Sequence, residues 1–248
     1  QYMDCGLQLR FKKLEHLEPE FISDALVFGS SVHKALAKLN SHRADNAKTQ
    51  VSDLTHWFEK YWTGAVQENG RIRYSNGNDF TSCLEQGKHL LEVYYETIPR
   101  DAQYQVLDIE KEFKLELEDF PCPIIGFIDL VETDEQGNLL ITEYKTASKA
   151  YSTNQIDLND QVTLYHLAVQ NLYPHKQVIT KIDCLIKTKT PKFKQYYTHR
   201  CSEDHNRFVK IAREVARGIE AEVFIPNVGS WKCGYCEFRS ACTDWLKT

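Results

Sequence analysis

No apolar run in these 248 residues reaches the ~18 residues that a membrane-spanning helix needs. No cationic start followed by an apolar stretch and a cleavage site opens the chain, so no secretory signal is read and a cytoplasmic setting is expected. The chain begins Gln1-Tyr2-Met3-Asp4-Cys5, and its true start is expected upstream, or the chain is an excised fragment. No internal repeat, low-complexity tract or linker divides it, so one domain over 1–248 is the economical reading. Excess positive charge is lacking too. Lys and Arg number 30 against 35 Asp and Glu, a net charge of -5. That excludes a surface built throughout for polyanions and leaves room for a local basic groove.

Hydrophobic residues make up 42% and charged residues 26%, as in an ordinary globular protein. Eight cysteines are many for a chain without a secretory signal. Cys122 and Cys184 sit in apolar surroundings and read as buried small hydrophobes. Cys233, Cys236 and Cys242 cluster, which in a reducing compartment points to a metal rather than to disulfides.

The hydrophobic period gives an α/β order. A short basic and apolar helix is expected over 5–16. A second covers 28–39, capped by Ser30 or Ser31, with His33 in its first turn and Val32, Ala35, Leu36 and Leu39 as its apolar stripe. A helical insert spans 40–100, with a loop around 69–78 and a long helix over 80–98. From Tyr104 the period becomes that of strands: 104–117, then "CPIIGFIDLVE" and "NLLITEYKT" joined by the turn "TDEQGN". A helix over 157–172, a strand pair over 178–200, a helix over 202–223 and a turn-rich tail complete the chain.

The hairpin carries polar residues where a buried sheet wants Val and Ile. Glu143 and Lys145 share one strand face, with Tyr144 opposite. A turn centred near Gln136–Gly137 brings Asp129 opposite 143–145. Two buried carboxylates so placed repel unless a cation lies between them. Hard oxygen ligands suit Mg²⁺ or Mn²⁺, and the lysine then activates the attacking water or stabilises charge on a phosphate. A plain Lys–carboxylate ion pair on a sheet edge is the bland alternative.

Gly-x-x-Asp, a hairpin and "EYKT" resemble the core of the PD-(D/E)XK nuclease superfamily in its RecB-like exonuclease form. The resemblance implies a restriction-endonuclease-like fold, a central mixed β-sheet flanked by helices. It also implies site roles. Asp129 and Glu143 would hold the metal with His33, the Tyr144 backbone carbonyl and, in some members, Glu110. Lys145 would be catalytic. Gln161 and Tyr165, four apart on one helix face, would position the nucleic acid near the active site.

"CGYCEFRSAC" supplies C-x₂-C-x₅-C, one ligand short of four. His205 and Cys5 are the candidates for the fourth. The resemblance favours Cys5: in AddB-like and CRISPR-associated members one cysteine precedes the domain and three follow it. It implies a [4Fe–4S] cluster on Cys5, Cys233, Cys236 and Cys242, joining the chain ends as a subdomain with 225–248. Zinc on the same thiolates is the alternative.

Lys187, Lys189, Lys192, Lys194 and Tyr196 lie in a basic stretch from Lys181 to Arg200 with interleaved aromatics. Such a stretch can follow a phosphate backbone. A solvated hairpin is the alternative. The sequence thus leads to a metal-dependent deoxyribonuclease acting on single-stranded or end-exposed duplex DNA, in repair, recombination, or CRISPR or phage DNA processing. A helicase or a CRISPR or recombination protein is a candidate partner, since no helicase motif is present. A non-catalytic nucleic-acid-binding scaffold on the same fold, or a zinc-stapled structural protein, are the rival readings.

Overall fold

The computed structural model describes residues 1–75, 77–98, 104–118, 120–174 and 176–247. Five strands form one mixed sheet: β3 (Gln105–Leu115), β4 (Ile124–Thr133), β5 (Leu139–Ala147), β6 (Val178–Ile186) and β7 (Lys192–Thr198), in that spatial order. The pairs β3–β4, β4–β5 and β6–β7 are antiparallel, and β5–β6 is parallel. The parallel step needs a crossover, which α5 (Thr153–Asp157) and α6 (Asp160–Leu172) supply. This is the restriction-endonuclease-like arrangement expected from the sequence.

The "TDEQGN" turn sets the β4–β5 register. Asp134 accepts the Asn138 backbone N–H and side-chain amide, and Gly137 takes a left-handed φ of 78° that suits glycine. β6 is covered on both faces, so its Ile and Val run almost without interruption. Lys181 and Asp183 break that run as a buried pair 3.7 Å apart.

Helices close both faces. On one side α2 (Asp24–Ala44), α3 (Val51–Asn69) and α4 (Phe80–Thr97) share a core with Leu130, Tyr144 and Leu185. On the other, Tyr165, Ala168 and Val169 of α6 pack on Val131, Leu139 and Ile141. α7 (Ser202–Glu220) follows, and His205 on it lies 2.9 Å from His166 of α6.

The stripe of Val32, Ala35, Leu36 and Leu39 is buried as expected, but α2 begins earlier than expected. Its cap is Ser23, whose hydroxyl accepts the Leu26 N–H. Ser31 instead donates to the Val27 carbonyl inside the helix, an alternative use of a mid-helix serine. His33 therefore sits in the third turn. Between α3 and α4, where a loop was expected, β2 (Ile72–Arg73) pairs in parallel with β1 (Ile22–Ser23). The entry helix is α1 (Gly6–Leu9), running into a π-helical turn over Arg10–Leu14. The tail holds a 3₁₀ turn (Trp231–Tyr235) and α8 (Arg239–Trp245). No helix among the described residues is long and apolar enough to cross a membrane.

Candidate metal centre and active site

β3 and β4 change layers part-way along. Ile109 and its partner Leu130 pack with the α2–α4 core, whereas Phe113 and Ile128 pack with α6. The change falls at Glu110 and Asp129, which stand opposite one another in the same register. Glu110 adopts a φ of 48°, a left-handed conformation uncommon for a residue with a side chain. Strain of that kind costs of order 1–3 kcal/mol and persists where surrounding structure imposes it, often at functional sites. The twist turns Asp129 out of the sheet toward α2.

Asp129 is the hub of the site. Its Oδ1 lies 3.2 Å from His33 Nδ1, and its Oδ2 accepts the Tyr144 backbone N–H at 2.7 Å. His33, Glu110 and Asp129 each offer a ligand atom within 4.8 Å of the others. Burial pulls the His33 imidazole down, but the hydrogen bond and charge of Asp129 outweigh it, and its pKa ends raised. Burial and the Asp129 charge raise Glu110, with His33 opposing.

Glu143 lies beside this trio rather than within it. It is 2% exposed, and one carboxylate oxygen, Oε2, is buried without a hydrogen-bond partner. The other, Oε1, meets Lys145 Nζ at 2.5 Å. Burial and the nearby Asp129 push the Glu143 pKa up to about 7 despite the lysine. A buried carboxylate with one free oxygen beside a second carboxylate can take a further cation besides the Lys145 ammonium. The donor set of one imidazole and several carboxylate oxygens fits a divalent metal such as Mg²⁺ or Mn²⁺.

Lys145 is held on its far side. Its Nζ donates to Gln161 Oε1 at 2.7 Å, and Gln161 Nε2 donates to the Tyr165 hydroxyl at 2.7 Å. Asn159 caps α6 by accepting the Val162 N–H, so Gln161 lies in the first turn and Tyr165 one turn on. Burial and the Glu143 charge keep the Tyr165 hydroxyl protonated far above its ordinary range. On the opposite strand face, Tyr144 accepts from Asn40 Nδ2 at 2.9 Å.

The family model of the PD-(D/E)XK nuclease superfamily matches residues 1–243. The chain belongs to the PD-(D/E)XK nuclease superfamily. Its members use divalent metals. Among curated proteins none matches it. Several solved structures are similar, two of them as follows. One is named "Putative exonuclease", from Eubacterium rectale, at 13% identity and TM-score 0.48, covering 87% of this chain and 88% of that one. The other is SSO0001, at 14% identity and TM-score 0.40, covering 94% and 92%. Likenesses this distant carry no argument about the site.

The entry segment and the tail of this superfamily member pack against each other. Cys5, Cys236 and Cys242 pack with Leu7, Phe11 and Phe238. Burial first, and then the charges of Cys5 and Cys233, raise the Cys242 thiol, and they contribute likewise at Cys236. His205, the other candidate fourth ligand, pairs instead with His166.

The basic stretch divides. Lys189, Lys192 and Lys194 are exposed. Lys181 and Arg200 are buried, and Arg200 donates to the Thr163 hydroxyl and the Ile156 carbonyl. These two brace the fold and cannot line a surface track. Lys187 is half-buried, its ammonium 4.6 Å from the Phe28 ring centroid. The Tyr196 hydroxyl accepts the Tyr151 N–H at 3.1 Å, and Lys194 stands over its ring at 4.7 Å. Alternation along the strand is what sequence reasoning needed here: Lys192 and Lys194 share the outward face, and the other cations do not.

Sequence reasoning missed the knot at Asp24. Its carboxylate accepts from the Ala25 and Ser75 backbone, the Ser75 hydroxyl and the Asn78 amide. It also missed a cavity beside the cysteine tail. The aromatics of "WKCGY" were the available signal for that cavity.

Proposed function

We propose that this chain is a divalent-metal-dependent nuclease that hydrolyses DNA phosphodiester bonds, as a RecB-like exonuclease. The observation that carries the reading is the buried Glu143 Oε2 without a partner, set beside the His33–Glu110–Asp129 trio. His33, Glu110, Asp129 and Glu143 would hold the ion, with the Tyr144 backbone alongside. A bound Mg²⁺ or Mn²⁺ supplies charge for the phosphate and lowers the pKa of the attacking water.

The chain's own residues handle the rest. Two of the three hydrogens of the Lys145 ammonium go to Glu143 Oε1 and Gln161 Oε1, which leaves the third for water or a phosphate oxygen. Water adds to phosphorus and gives up a proton to solvent, the bond to the leaving sugar oxygen breaks, and that oxygen takes a proton from solvent. Lys145 stabilises the negative charge that grows on the phosphate. Gln161, anchored by Tyr165, fixes the direction of the lysine. Lys189, Lys192 and Lys194 contact the DNA backbone, and Lys187 and Tyr196 support that surface.

Cys5, Cys233, Cys236 and Cys242 are assigned a [4Fe–4S] cluster of structural role, stapling 225–248 to the entry segment within a single domain. Cys5, Cys236 and Cys242 share one small apolar cluster, which supports a thiolate site joining the two segments, and tetrahedral zinc on the same four thiolates is the alternative. The setting proposed is cytoplasmic DNA repair, recombination, or CRISPR or phage DNA processing, with a helicase or recombination protein as partner.

The test is cleavage of end-labelled single- and double-stranded DNA with Mn²⁺ or Mg²⁺. Shortening from the ends that stops in chelator is the expected result. No cleavage of any DNA with either ion overturns the reading. Colourless, anaerobically purified protein holding stoichiometric zinc, with no band near about 400 nm, overturns the cluster alone.

A further inference from the structure

A cavity of about 640 Å³ lies between the entry segment, the start of α2 and the cysteine tail. Its volume falls within the range of ligand sites, about 300–1,000 Å³. Phe21, Arg73, Lys187, Trp231, Lys232 and Tyr235 contribute to its walls together with Cys5, Cys233 and Cys236, so the proposed cluster would take part of this volume and leave the rest to a ligand. Trp231 is 76% exposed and Tyr235 52%, with ring centroids 6.5 Å apart. The Arg73 guanidinium lies 4.7 Å over the Phe21 ring and 6.0 Å from that of Tyr235. Its charge is thus set against rings rather than against a carboxylate.

The carboxylates of the cavity are already engaged. Asp24 accepts from Ala25, Ser75 and Asn78, and Asp4 pairs with Lys232 at 2.7 Å on the exposed surface. An exposed pair of that kind is held weakly, so Lys232 can turn to an incoming anion. Cations with exposed aromatic faces between them match the chemistry of an unpaired nucleic-acid strand. Phosphates take the cations, and bases stack on the rings. Bases inside a duplex have their faces covered by their neighbours and gain nothing from Trp231.

Thr146 and Ser148 also line the cavity, which places it beside the end of β5, the strand that carries Lys145 on its other face.

We propose that this groove binds the unpaired strand of the substrate, with Trp231 and Tyr235 stacking on bases and Arg73, Lys187 and Lys232 meeting phosphates. The inference rests on the nuclease reading and names the part of the substrate that reading leaves open.

The experiment measures binding of labelled oligo-dT and of a blunt duplex in a Glu143→Gln background with Mg²⁺ present, so that binding is read without cleavage. Trp231→Ala combined with Tyr235→Ala weakens oligo-dT binding about tenfold or more and duplex binding less than about threefold. Trp231→Phe retains most of the affinity. Arg73→Ala lowers the salt slope of oligo-dT binding by about 0.7 for one lost phosphate contact. Trp231 fluorescence, isolated by difference against Trp231→Phe, is quenched by oligo-dT.

Unchanged oligo-dT binding in the double variant overturns the proposal, as does an equal loss on both DNAs. A groove that holds a protein partner instead leaves both DNA affinities unchanged. The two readings fail separately. Wild-type protein that cleaves while the double variant binds normally sinks the groove alone. Wild-type protein that cleaves nothing sinks the nuclease reading, and the binding comparison still decides the groove. Because Trp231 is exposed, its loss leaves the fold intact, and matching melting curves check this.

Discussion

The Asp129 carboxylate accepts the Tyr144 backbone N–H at 2.7 Å, just past Leu130–Thr142, the last pair of the β4–β5 ladder. The side chain takes over where backbone pairing stops. It thereby holds the two strands at the separation the site requires, and it does so with one oxygen while the other faces His33. Asparagine offers the same acceptor without the charge. Asp129→Asn is expected to fold with stability within about 1 kcal/mol of the parent and to lose metal-dependent cleavage. Asp129→Ala leaves a buried N–H unpaired and costs about 1–3 kcal/mol as well. Urea melts beside a cleavage assay check both. Cleavage by Asp129→Asn near the parent rate would refute the role.

Glu143 makes stability depend on pH. Its folded-state pKa is raised to about 7 from 4.5, so between those values the folded state holds a proton that the unfolded state has released. Stability therefore falls as pH rises from about 4.5 through 7, by roughly 3 kcal/mol at most. Glu143→Gln flattens this slope, and added Mg²⁺ opposes it by relieving the repulsion from Asp129. Melting temperatures from pH 5 to 8, with and without Mg²⁺, report it. Parallel curves for the parent and Glu143→Gln would count against the assignment.

Gln161 is placed to act through Lys145. Gln161→Ala releases the ammonium on one side and is expected to lower kcat by about ten- to a hundredfold with little change in KM. Tyr165→Phe removes the acceptor of the Gln161 amide and lowers kcat by a smaller factor. A rise in KM at constant kcat would instead make Gln161 a plain substrate contact.

Glu110 sets function against strain. Glycine at this φ of 48° relieves the left-handed conformation and stabilises the fold by about 1 kcal/mol. Glu110→Gly is also expected to weaken Mn²⁺ binding, read by calorimetry. A variant that is both less stable and unchanged in Mn²⁺ affinity would remove Glu110 from the site.

Gly87 tests the helical insert. In an exposed helix, Gly→Ala stabilises by about 1 kcal/mol. Here the added carbon would lie 2.0 Å from Phe58 Cζ, and the Phe58 ring is fully buried, edge-on to Phe28 at 5.5 Å. Overpacking wins, with a net loss of about 2 kcal/mol expected. A higher melting temperature for Gly87→Ala would contradict the packing between α3 and α4.

Some of this protein was legible in its linear order. Strand alternation put Glu143 and Lys145 on one face, and the turn at Gln136–Gly137 placed Asp129 opposite them, because both rules act over a few residues. The start of α2 was misread because Ser23 and Ser31 are equal candidates locally, and only the Asp24–Ser75–Asn78 knot, made across fifty residues, selects the first. The split of the basic stretch was hidden for the same reason: Arg200 is buried against Thr163 of α6 and the Ile156 carbonyl, and Lys181 on the other sheet face beside Arg43 and Tyr144, all elsewhere in the sequence.

What the sequence determined by itself was the fold class, the hairpin and the residue types at the site, since local period and turn chemistry specify them. What only the tertiary structure decided was the grouping. Glu110 joins His33 and Asp129 because its strand twists under contacts from two separate cores, and Glu143 is left with an unpartnered oxygen because long-range packing sealed it from water. Burial is a property of the whole chain, and burial turns an ordinary acidic pair into a candidate metal centre.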